Sequence, residues 1–377
     1  MHYLNKTIMG CTIVYLFLNC VSCNLVDPLK FETREVDFIN QTGNVINGNI
    51  LDIDVIGAKS IAIYDTLLMV TTTNRDALFQ VYSTQTLKPL AMLCHQGRAK
   101  NEFSDGYIFN DAQVITRNGD LFVVLRGEGG TVLKEVNISA SIKEGHTVIE
   151  GTTDNVPSGC DFVLGLNNGI ERLFCYNNHN FNLDREIYDV PSFSIVSEKK
   201  TKDIKIYRKL IDFENDRYST FWYTGNLCYH PKRNIVAQCM RTIDYIHIID
   251  VDNDKYFSIH QLGTPTFKEI TVPNIIVDDV YVYDFNHFSE SIGTEKFFLV
   301  IYMNGDYRKE EMKRGNGEAT ELLAFDWNGN YLGGVKLDIF VQDIAFDTNS
   351  NLLYGLRIRD EKIVTFDLTD FIKTIDI

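Results

Sequence analysis

Three aspartates at alternate positions are the first residues whose spacing suggests chemistry. Asp250, Asp252 and Asp254 have the spacing of the first ligands of a calcium-binding loop. That loop also needs a glycine after the third aspartate and a bidentate glutamate at its end, and here those positions are Lys255 and Gln261. We therefore expect the three aspartates to lie in a solvated turn.

A glycine-rich stretch is the second candidate. Gly127, Gly129 and Gly130 lie between two strand-like runs, whereas a phosphate-binding loop opens a helix, so we predict a hairpin turn. The eight histidines form no His-Glu-x-x-His motif, and no Gly-x-Ser-x-Gly motif occurs. The sequence therefore assigns no catalytic residue, metal ligand or cofactor. It leaves enzymatic activity undecided and favours a binding role.

Aromatic side chains cluster in the segment RYSTFWYTG, and they form a third candidate site. Tyr218, Trp222 and Tyr223 have flat apolar faces that can stack on the CH groups of a sugar ring. Aromatic residues also fill the contacts between packed sheets. Ligand stacking and core packing both remain open for this cluster, and core packing is favoured.

The segment LCHQGRAKNEF, residues 93–103, gathers charged and aromatic residues between two predicted strands. Gly97 permits a backbone turn with positive φ, and Arg98 with Glu102 can pair or hold loop carbonyls. Phe103 can wedge between the units on either side, so we expect it to be buried. The segment is either a binding site or a joint that orients its neighbours, and the joint is favoured.

Internal repeats indicate what positions these residues. An alternating apolar run, a polar turn and a second apolar run recur along the chain at a period of about 50 residues. Turn residues such as Asn118-Gly119 and Asn168-Gly169 mark the bends, and a second hairpin follows in most copies. The copies begin at Ser60, Ala112, Val163, Leu227, Val280 and Asp343.

Four short antiparallel strands in each of six units predict an all-β fold, a six-bladed β-propeller. Two β-sandwiches in tandem would be joined by a linker and would lack a common period, whereas this sequence has a common period and no evident linker. The last unit has room for three strands only. Since an open sheet edge is a liability, we expect an N-terminal strand, Phe31–Ile39, to close the ring beside Lys362–Leu368.

The first residues have the order of a secretory signal: Lys6, an apolar run from Ile8 to Leu18, then small and polar residues. The run is too short for a transmembrane helix. Ser22 before Cys23 resembles the lipobox of bacterial lipoproteins, in which the cysteine is cleaved and lipidated. A plain secretory signal is the alternative, and a redox role for the Cys-x-x-Cys pair is weaker.

The joint also carries a family resemblance. Gly97, Arg98, Glu102 and Phe103 match the GRGPGEF-like loop of Bacteroides-type, TolB-like six-bladed propeller lipoproteins, whereas residues 99–101 depart from it. The resemblance implies a lipid-anchored protein of the bacterial cell envelope, in the outer membrane. It divides the chain into a lipoprotein signal peptide (1–22), an anchor linker with the ring-closing strand (23–45) and the propeller (46–377).

Charge and cysteine content limit the function further. The formal net charge of −15 repels phosphate backbones and anionic lipids, so we expect no nucleic-acid binding and membrane contact only through the anchor. Beyond Cys23 the cysteines are odd in number and scattered, which predicts buried thiols with at most one accidental pair. They are Cys94, Cys160, Cys175, Cys228 and Cys239.

Two hypotheses of function follow. The first is a monomeric, non-catalytic propeller that is anchored to a membrane outside the cytoplasm and binds a protein or glycan. The second is a metal-dependent hydrolase or lactonase whose acidic and imidazole ligands converge at the inner strands. The first is favoured, because convergence from several blades cannot be read from one sequence.

Overall fold

The computed structural model shows a ring of β-sheets. It describes residues 29–38, 42–104, 113–157, 159–177, 181–182, 187–188, 192–198, 200–207, 223–241, 243–264, 276–277, 280–281, 287–303 and 320–375. The predicted signal segment, the lipidation candidate Cys23 and the aromatic candidates Tyr218 and Trp222 lie outside these residues. Neither helix in the described part of the chain has the length and apolar character needed to cross a membrane.

Six sheets of four antiparallel strands form the blades, which confirms the predicted six-bladed β-propeller. Blade 1 comprises Ala58–Tyr64, Leu67–Thr72, Phe79–Ser83 and Pro89–Leu93. Blade 2 comprises Gln113–Arg117, Asp120–Gly127, Val132–Asn137 and Ile149–Thr153. Blade 3 comprises Phe162–Gly165, Arg172–Asn177, Ser192–Ser197 and Lys200–Ile204. Blade 4 comprises Gly225–Tyr229, Ile235–Met240, Tyr245–Asp250 and Lys255–Gln261. Blade 5 comprises Phe288–Gly293, Phe297–Tyr302, Thr320–Asp326 and Tyr331–Leu337. Blade 6 comprises Asp343–Asp347, Leu352–Arg357, Lys362–Asp367 and Gly48–Ile50.

The N-terminal segment closes the ring, although not with the predicted residues. Glu32–Val36 pairs in parallel with the outer strand of blade 4, so its predicted pairing with the last blade is wrong. Thr42–Ile46 pairs in parallel with the outer strand of blade 5. Gly48–Ile50 then pairs antiparallel with Lys362–Asp367 and completes blade 6. The segment thus covers two other sheet edges before it reaches the edge that needs it.

Successive apolar side chains of a strand point to opposite sides of its sheet, so they fill the junctions with both neighbouring blades. The described residues contain a separate buried cluster at each junction of the ring. The cluster between blades 1 and 2, for example, joins Met69 and Phe79 to Leu121 and Val136. Burial of this kind contributes roughly 25 cal/mol per Å² of apolar surface, so stability is distributed around the ring.

The two ends of the ring differ. Because successive strands are antiparallel, the turns from first to second and from third to fourth strand lie at one end, which we name the turn face. The turns from second to third strand and the connections between blades lie at the other end, which we name the loop face. First-to-second turns are short, as at 65–66 and 118–119. The longest connections, which include 94–112, 205–224 and 262–287, leave and re-enter the blades at the loop face.

Within the described ranges, two helices and two small ribbons depart from the repeat. Ile138–Glu144 is a helix capped by Asn137, whose side chain accepts from the backbone N–H of Ala140, where the sequence predicted the continuation of a hairpin. The second helix, Thr369–Ile375, packs on the outer strand of blade 5. The ribbons pair Phe181–Asn182 with Ile187–Tyr188 and Ile276–Val277 with Val280–Tyr281, so blade 5 begins at Phe288 and not at the predicted Val280.

The five cysteines in the described residues are free, and the prediction of buried thiols holds for all of these except Cys160, which is partly exposed. Their arrangement differs from the predicted scatter. The thiols of Cys160 and Cys175 are in hydrogen-bonding contact, and so are those of Cys228 and Cys239. Cys228 and Cys239 lie on paired strands of blade 4, whereas Cys160 lies just before the first strand of blade 3 and Cys175 on its second strand.

Candidate functional site

Phe103 occupies the position that the predicted wedge requires. Its side chain is fully buried in the cluster between blades 1 and 2. The Lys134 ammonium group lies 4.5 Å from the centre of the Phe103 ring and donates to the backbone carbonyl of Glu102. A Cβ atom on Gly127 would lie 2.5 Å from the ring, so glycine is required there. The joint therefore fixes blade 2 against blade 1.

The polar residues of the joint act differently from the prediction. Gly97 does not have positive φ; a Cβ atom there would lie 1.9 Å from the Glu102 carboxylate, so the glycine leaves room for that side chain in its present position. That carboxylate accepts a hydrogen bond of 2.8 Å from the backbone N–H of Ala99. Arg98 is exposed and forms no ion pair with Glu102 in the described structure, so the predicted pairing is wrong. The joint is a compact folded turn.

Polar side chains of the inner strands tie neighbouring blades together around the central channel. The Gln113 amide donates to the Gly165 carbonyl at 2.9 Å and accepts from the Gly165 N–H at 2.8 Å. The Asn226 amide donates to the carbonyl of Ser289 in the next blade. The Asp343 carboxylate accepts from the Ile61 N–H at 2.6 Å, which links the last blade to the first. These groups have a structural role.

Two carboxyl groups interact at the channel. Burial raises the pKa of Glu290 to about 7, against the opposing effect of Arg241. Burial, followed by the charge on Glu290, holds the pKa of Asp343 well above its usual range. The pair therefore carries less than its full negative charge at neutral pH. In the described part of the chain, no group of three or more His, Cys, Asp or Glu residues is arranged to hold a metal ion.

The described aromatic candidate is a core residue. Tyr223 is fully buried, and its ring centre lies 4.4 Å from that of Tyr207. Its backbone carbonyl accepts a hydrogen bond of 2.5 Å from the Tyr176 hydroxyl. A ring enclosed in this way has no face for a sugar, so ligand stacking is the wrong interpretation for Tyr223.

The aspartates with calcium-loop spacing lie in a hairpin turn, as the sequence predicts. The Asp250 side chain accepts from the backbone and side chain of Asn253, which is the usual role of aspartate in a tight turn. The Lys202 ammonium lies 2.5 Å from the Asp254 carboxylate. The glycines at 127–130 likewise lie in and beside a short turn between two strands of blade 2, as predicted.

A small cleft lies on the turn face between blades 3 and 4, and hydrogen bonds cross it. We name it the closed cleft; its volume is about 100 Å³. The amide of Asn234 donates to the Asn167 side chain at 2.6 Å and accepts from the Asn167 N–H at 3.0 Å. The same amide donates to both oxygens of Asp252, and the Arg172 guanidinium lies 3.5 Å from that carboxylate.

A larger cleft occupies the equivalent place between blades 1 and 2, and we name it the open cleft. Its volume is about 470 Å³. Tyr64 and Asp65 line one side and Asn118 the other, above Leu67 and Leu121. No hydrogen bond between described residues crosses it from the 64–67 turn to the 116–119 turn. The Asn118-Gly119 turn was predictable from the sequence, but the cleft was not, because the sequence of one turn does not show which residues face it.

Comparisons with known proteins give the fold. No protein-family model matches the chain, and no curated protein matches it. A member of the DUF4221 family from Bacteroides vulgatus is 10% identical, with a TM-score of 0.53 over 87% of this chain and 98% of that one. A protein of Bacteroides fragilis, named as a candidate exported protein, is 10% identical, with a TM-score of 0.50 over 89% of this chain and 98% of that one. The chain is thus a six-bladed propeller similar in fold to these Bacteroides proteins.

Proposed function

We propose that the protein is a monomeric, membrane-anchored propeller outside the cytoplasm, which binds a protein or glycan ligand and catalyses no reaction. The anchor is a lipid on Cys23. The proposal extends the sequence hypothesis of a TolB-like outer-membrane lipoprotein with what the structure shows at the channel.

The observation that carries the proposal is the use of the inner-strand side chains. Gln113, Asn226 and Asp343 stand where a propeller enzyme would direct groups at a substrate, and each is bound to the backbone of a neighbouring blade. Groups held in this way stabilise the ring and are poorly placed to move protons or to bind a reacting atom. The surfaces of the two faces are then left for recognition.

Two further observations support a place outside the cytoplasm. One Bacteroides protein of similar fold is named as a candidate exported protein. The leader of this chain has the composition of a secretory signal, with Ser22-Cys23 at its end. Cys23→Ala should release the protein from membranes, and mass spectrometry of the native form should show an acylated N-terminal cysteine. An unmodified mature N-terminus at another residue would contradict the anchor.

Binding is tested with purified residues 24–377 on a glycan array, and with cross-linking in the native envelope followed by identification of the cross-linked proteins. The proposal predicts a saturable glycan or protein ligand and no turnover of it. A chain that retains neither kind of ligand, or that converts one, contradicts the proposal.

A metal-dependent hydrolase is the second candidate, favoured by the interaction of Glu290 with Asp343 in the channel. Carboxylates and amide oxygens are suitable ligands for Ca²⁺, and Asn226 is bound in the same region. Calorimetric titration with calcium, manganese and zinc chlorides, together with lactone and ester hydrolysis assays, tests this candidate. Stoichiometric metal binding that Glu290→Gln abolishes, with metal-dependent hydrolysis, would establish it over the binding role.

A further inference from the structure

We propose that the open cleft between blades 1 and 2 binds one neutral sugar residue of a glycan. This inference rests on the proposed binding function, and it adds the class of the ligand and the place where it binds. The cleft lies on the turn face, and the described residues that line it include none of Tyr218, Trp222 and Tyr223, which the sequence suggested for sugars.

The size of the cleft is the first argument. Small-molecule sites in proteins enclose roughly 300–1,000 Å³, and the open cleft has a volume of about 470 Å³. The closed cleft, at the equivalent position of the repeat, has only about 100 Å³. The backbone plan alone therefore does not produce a space of this size.

The second argument is an exposed aromatic ring beside an apolar floor. Tyr64 is 42% exposed, and it is the sole aromatic residue among the exposed large hydrophobic side chains of the described structure. An exposed ring loses apolar burial, so its place at a cleft wall is informative. Leu121, which also lines the cleft, is buried in the core between the blades, and Leu67 is partly buried against that core. A pyranose ring has apolar CH faces that match such a wall and floor.

The third argument is the pair of polar residues at the rim. Asp65 and Asn118 both have left-handed backbone conformations, with φ of 51° and 55°, which fixes how the two turn tips present their side chains. Neither side chain forms a hydrogen bond or an ion pair in the described structure. A sugar hydroxyl both donates and accepts, so a carboxylate acceptor and an amide that does both are suitable partners.

The charge at the rim favours a neutral sugar. The Arg117 guanidinium is the cation of the cleft, and it lies 3.2 Å from the Glu135 carboxylate and 4.4 Å from the centre of the Phe122 ring. Its charge is therefore compensated within blade 2. The Asp65 carboxylate keeps its charge uncompensated, so it repels phosphates and acidic sugars.

Saturation-transfer NMR and calorimetry with residues 24–377 test the site, using the methyl glycosides of glucose, galactose and mannose, and N-acetylglucosamine, as probes. We expect at least one probe to bind with a millimolar Kd. Tyr64→Ala should weaken binding about tenfold or more, the loss that corresponds to ~1.4 kcal/mol of stacking. Tyr64→Phe should retain most of the binding, since the ring remains.

Asn118→Gly removes the amide and keeps the left-handed turn, so it should also weaken binding without affecting folding. Met92→Ala is the matched control, because Met92 is exposed to a similar extent and lies on the outer strand of blade 1. Binding that Tyr64→Ala and Asn118→Gly leave unchanged would overturn the site and leave the proposed function standing. A failure of all four probes to bind also overturns the site, whereas the proposed binding function fails if the array and the cross-linking yield no ligand or if the chain converts one.

Discussion

The open and closed clefts occupy the same position in the repeat, yet only one is bridged. In both, an asparagine on the first turn of the following blade faces the first turn of the preceding blade. Asn234 reaches Asn167 and Asp252 and fastens blades 3 and 4 together. Asn118 reaches no partner in the described structure, and the cleft in front of it is about 470 Å³ against about 100 Å³. A few side chains at the turn tips therefore decide whether a junction is a fastening or a cavity.

Both clefts require a closed ring, so opening the ring should have the largest effect. A chain that begins at Asp52 lacks Gly48–Ile50, and one that begins at Gly48 retains that strand. We expect the shorter chain to unfold at least about 10 °C below the longer one, because an open propeller exposes the edge of blade 6. Circular dichroism during heating measures this. Equal midpoints would show that the closing strand is dispensable.

No hydrogen bond between described residues bridges the first turns of blades 1 and 2, so the comparison predicts that these blades depend on the joint at the loop face. Phe103→Ala should lower the free energy of unfolding by about 3–5 kcal/mol, as for other truncations of buried aromatic residues. Lys100→Ala, on the exposed surface of the same joint, should change it by less than about 0.5 kcal/mol. Chemical denaturation measures both. Small and equal effects would contradict the wedge.

Blades 3 and 4 are joined inside as well, through a histidine that acid should disrupt. His247 is fully buried, with its ring nitrogens 2.9 Å from the Tyr207 hydroxyl and 2.7 Å from the Ser258 hydroxyl. Burial lowers its pKa from 6.5 to about 3. Protonation therefore favours the unfolded chain, and stability is lost as the pH falls from the unfolded to the folded pKa. Between pH 7 and pH 5 we expect a loss of about 2 kcal/mol from this group.

Denaturation at the two pH values measures the effect. His247→Gln cannot titrate and should show a smaller loss than the unsubstituted protein. His287, whose pKa burial also lowers, titrates in both proteins, so the difference between them isolates His247. An identical pH dependence in both would exclude the assignment.

Asn234→Ala should widen the closed cleft at moderate cost. The side chain bonds to Asn167 and Asp252 at a partly exposed position, so we expect a loss of about 1 kcal/mol in the free energy of unfolding. Hydrogen exchange should increase in the turns of blades 3 and 4 and not in those of blades 1 and 2. Unchanged exchange in the 230–234 turn would show that the bridging bonds do not hold the junction.

Tyr64→Ala should have the smallest effect on stability. The ring is exposed and no described side chain bridges the cleft to it, so a change within about 0.5 kcal/mol is expected. A larger loss would mean that Tyr64 supports the junction, and the contrast between the clefts would weaken. A small loss together with weaker sugar binding would show that the ring serves recognition.

The blade plan was predictable because it depends on short-range patterns. Alternating apolar residues and turn pairs such as Asn118-Gly119 mark each hairpin, and their period gives the number of blades. The closing strand was not predictable, because Gly48–Ile50 has no distinctive strand pattern in the sequence. Glu32–Val36 has a strong strand pattern but pairs with another blade. Several blades offer an outer edge, and the order in which a segment covers them depends on three-dimensional distances.

The sites were less predictable for a related reason. The burial of Phe103 follows from its place before a strand, but the close approach of the Glu102 carboxylate to Gly97 is visible only in the structure. The clefts combine turns that belong to different repeats. The turns are predictable one by one from the sequence, but no sequence pattern shows that Tyr64 faces Asn118 across a cavity.

The covering of blade 4 by the N-terminal segment has a mechanical consequence for a chain tethered at its beginning. Tension from the tether would first reach the bridge between Leu29 and Tyr207 and then Glu32–Val36, which pairs in parallel along the outer strand of blade 4. A pull along that strand loads its hydrogen bonds together in shear. Gly48–Ile50 comes later in the chain and bears no force until both earlier strands have detached. The ring closure is therefore shielded from forces that act on the tether.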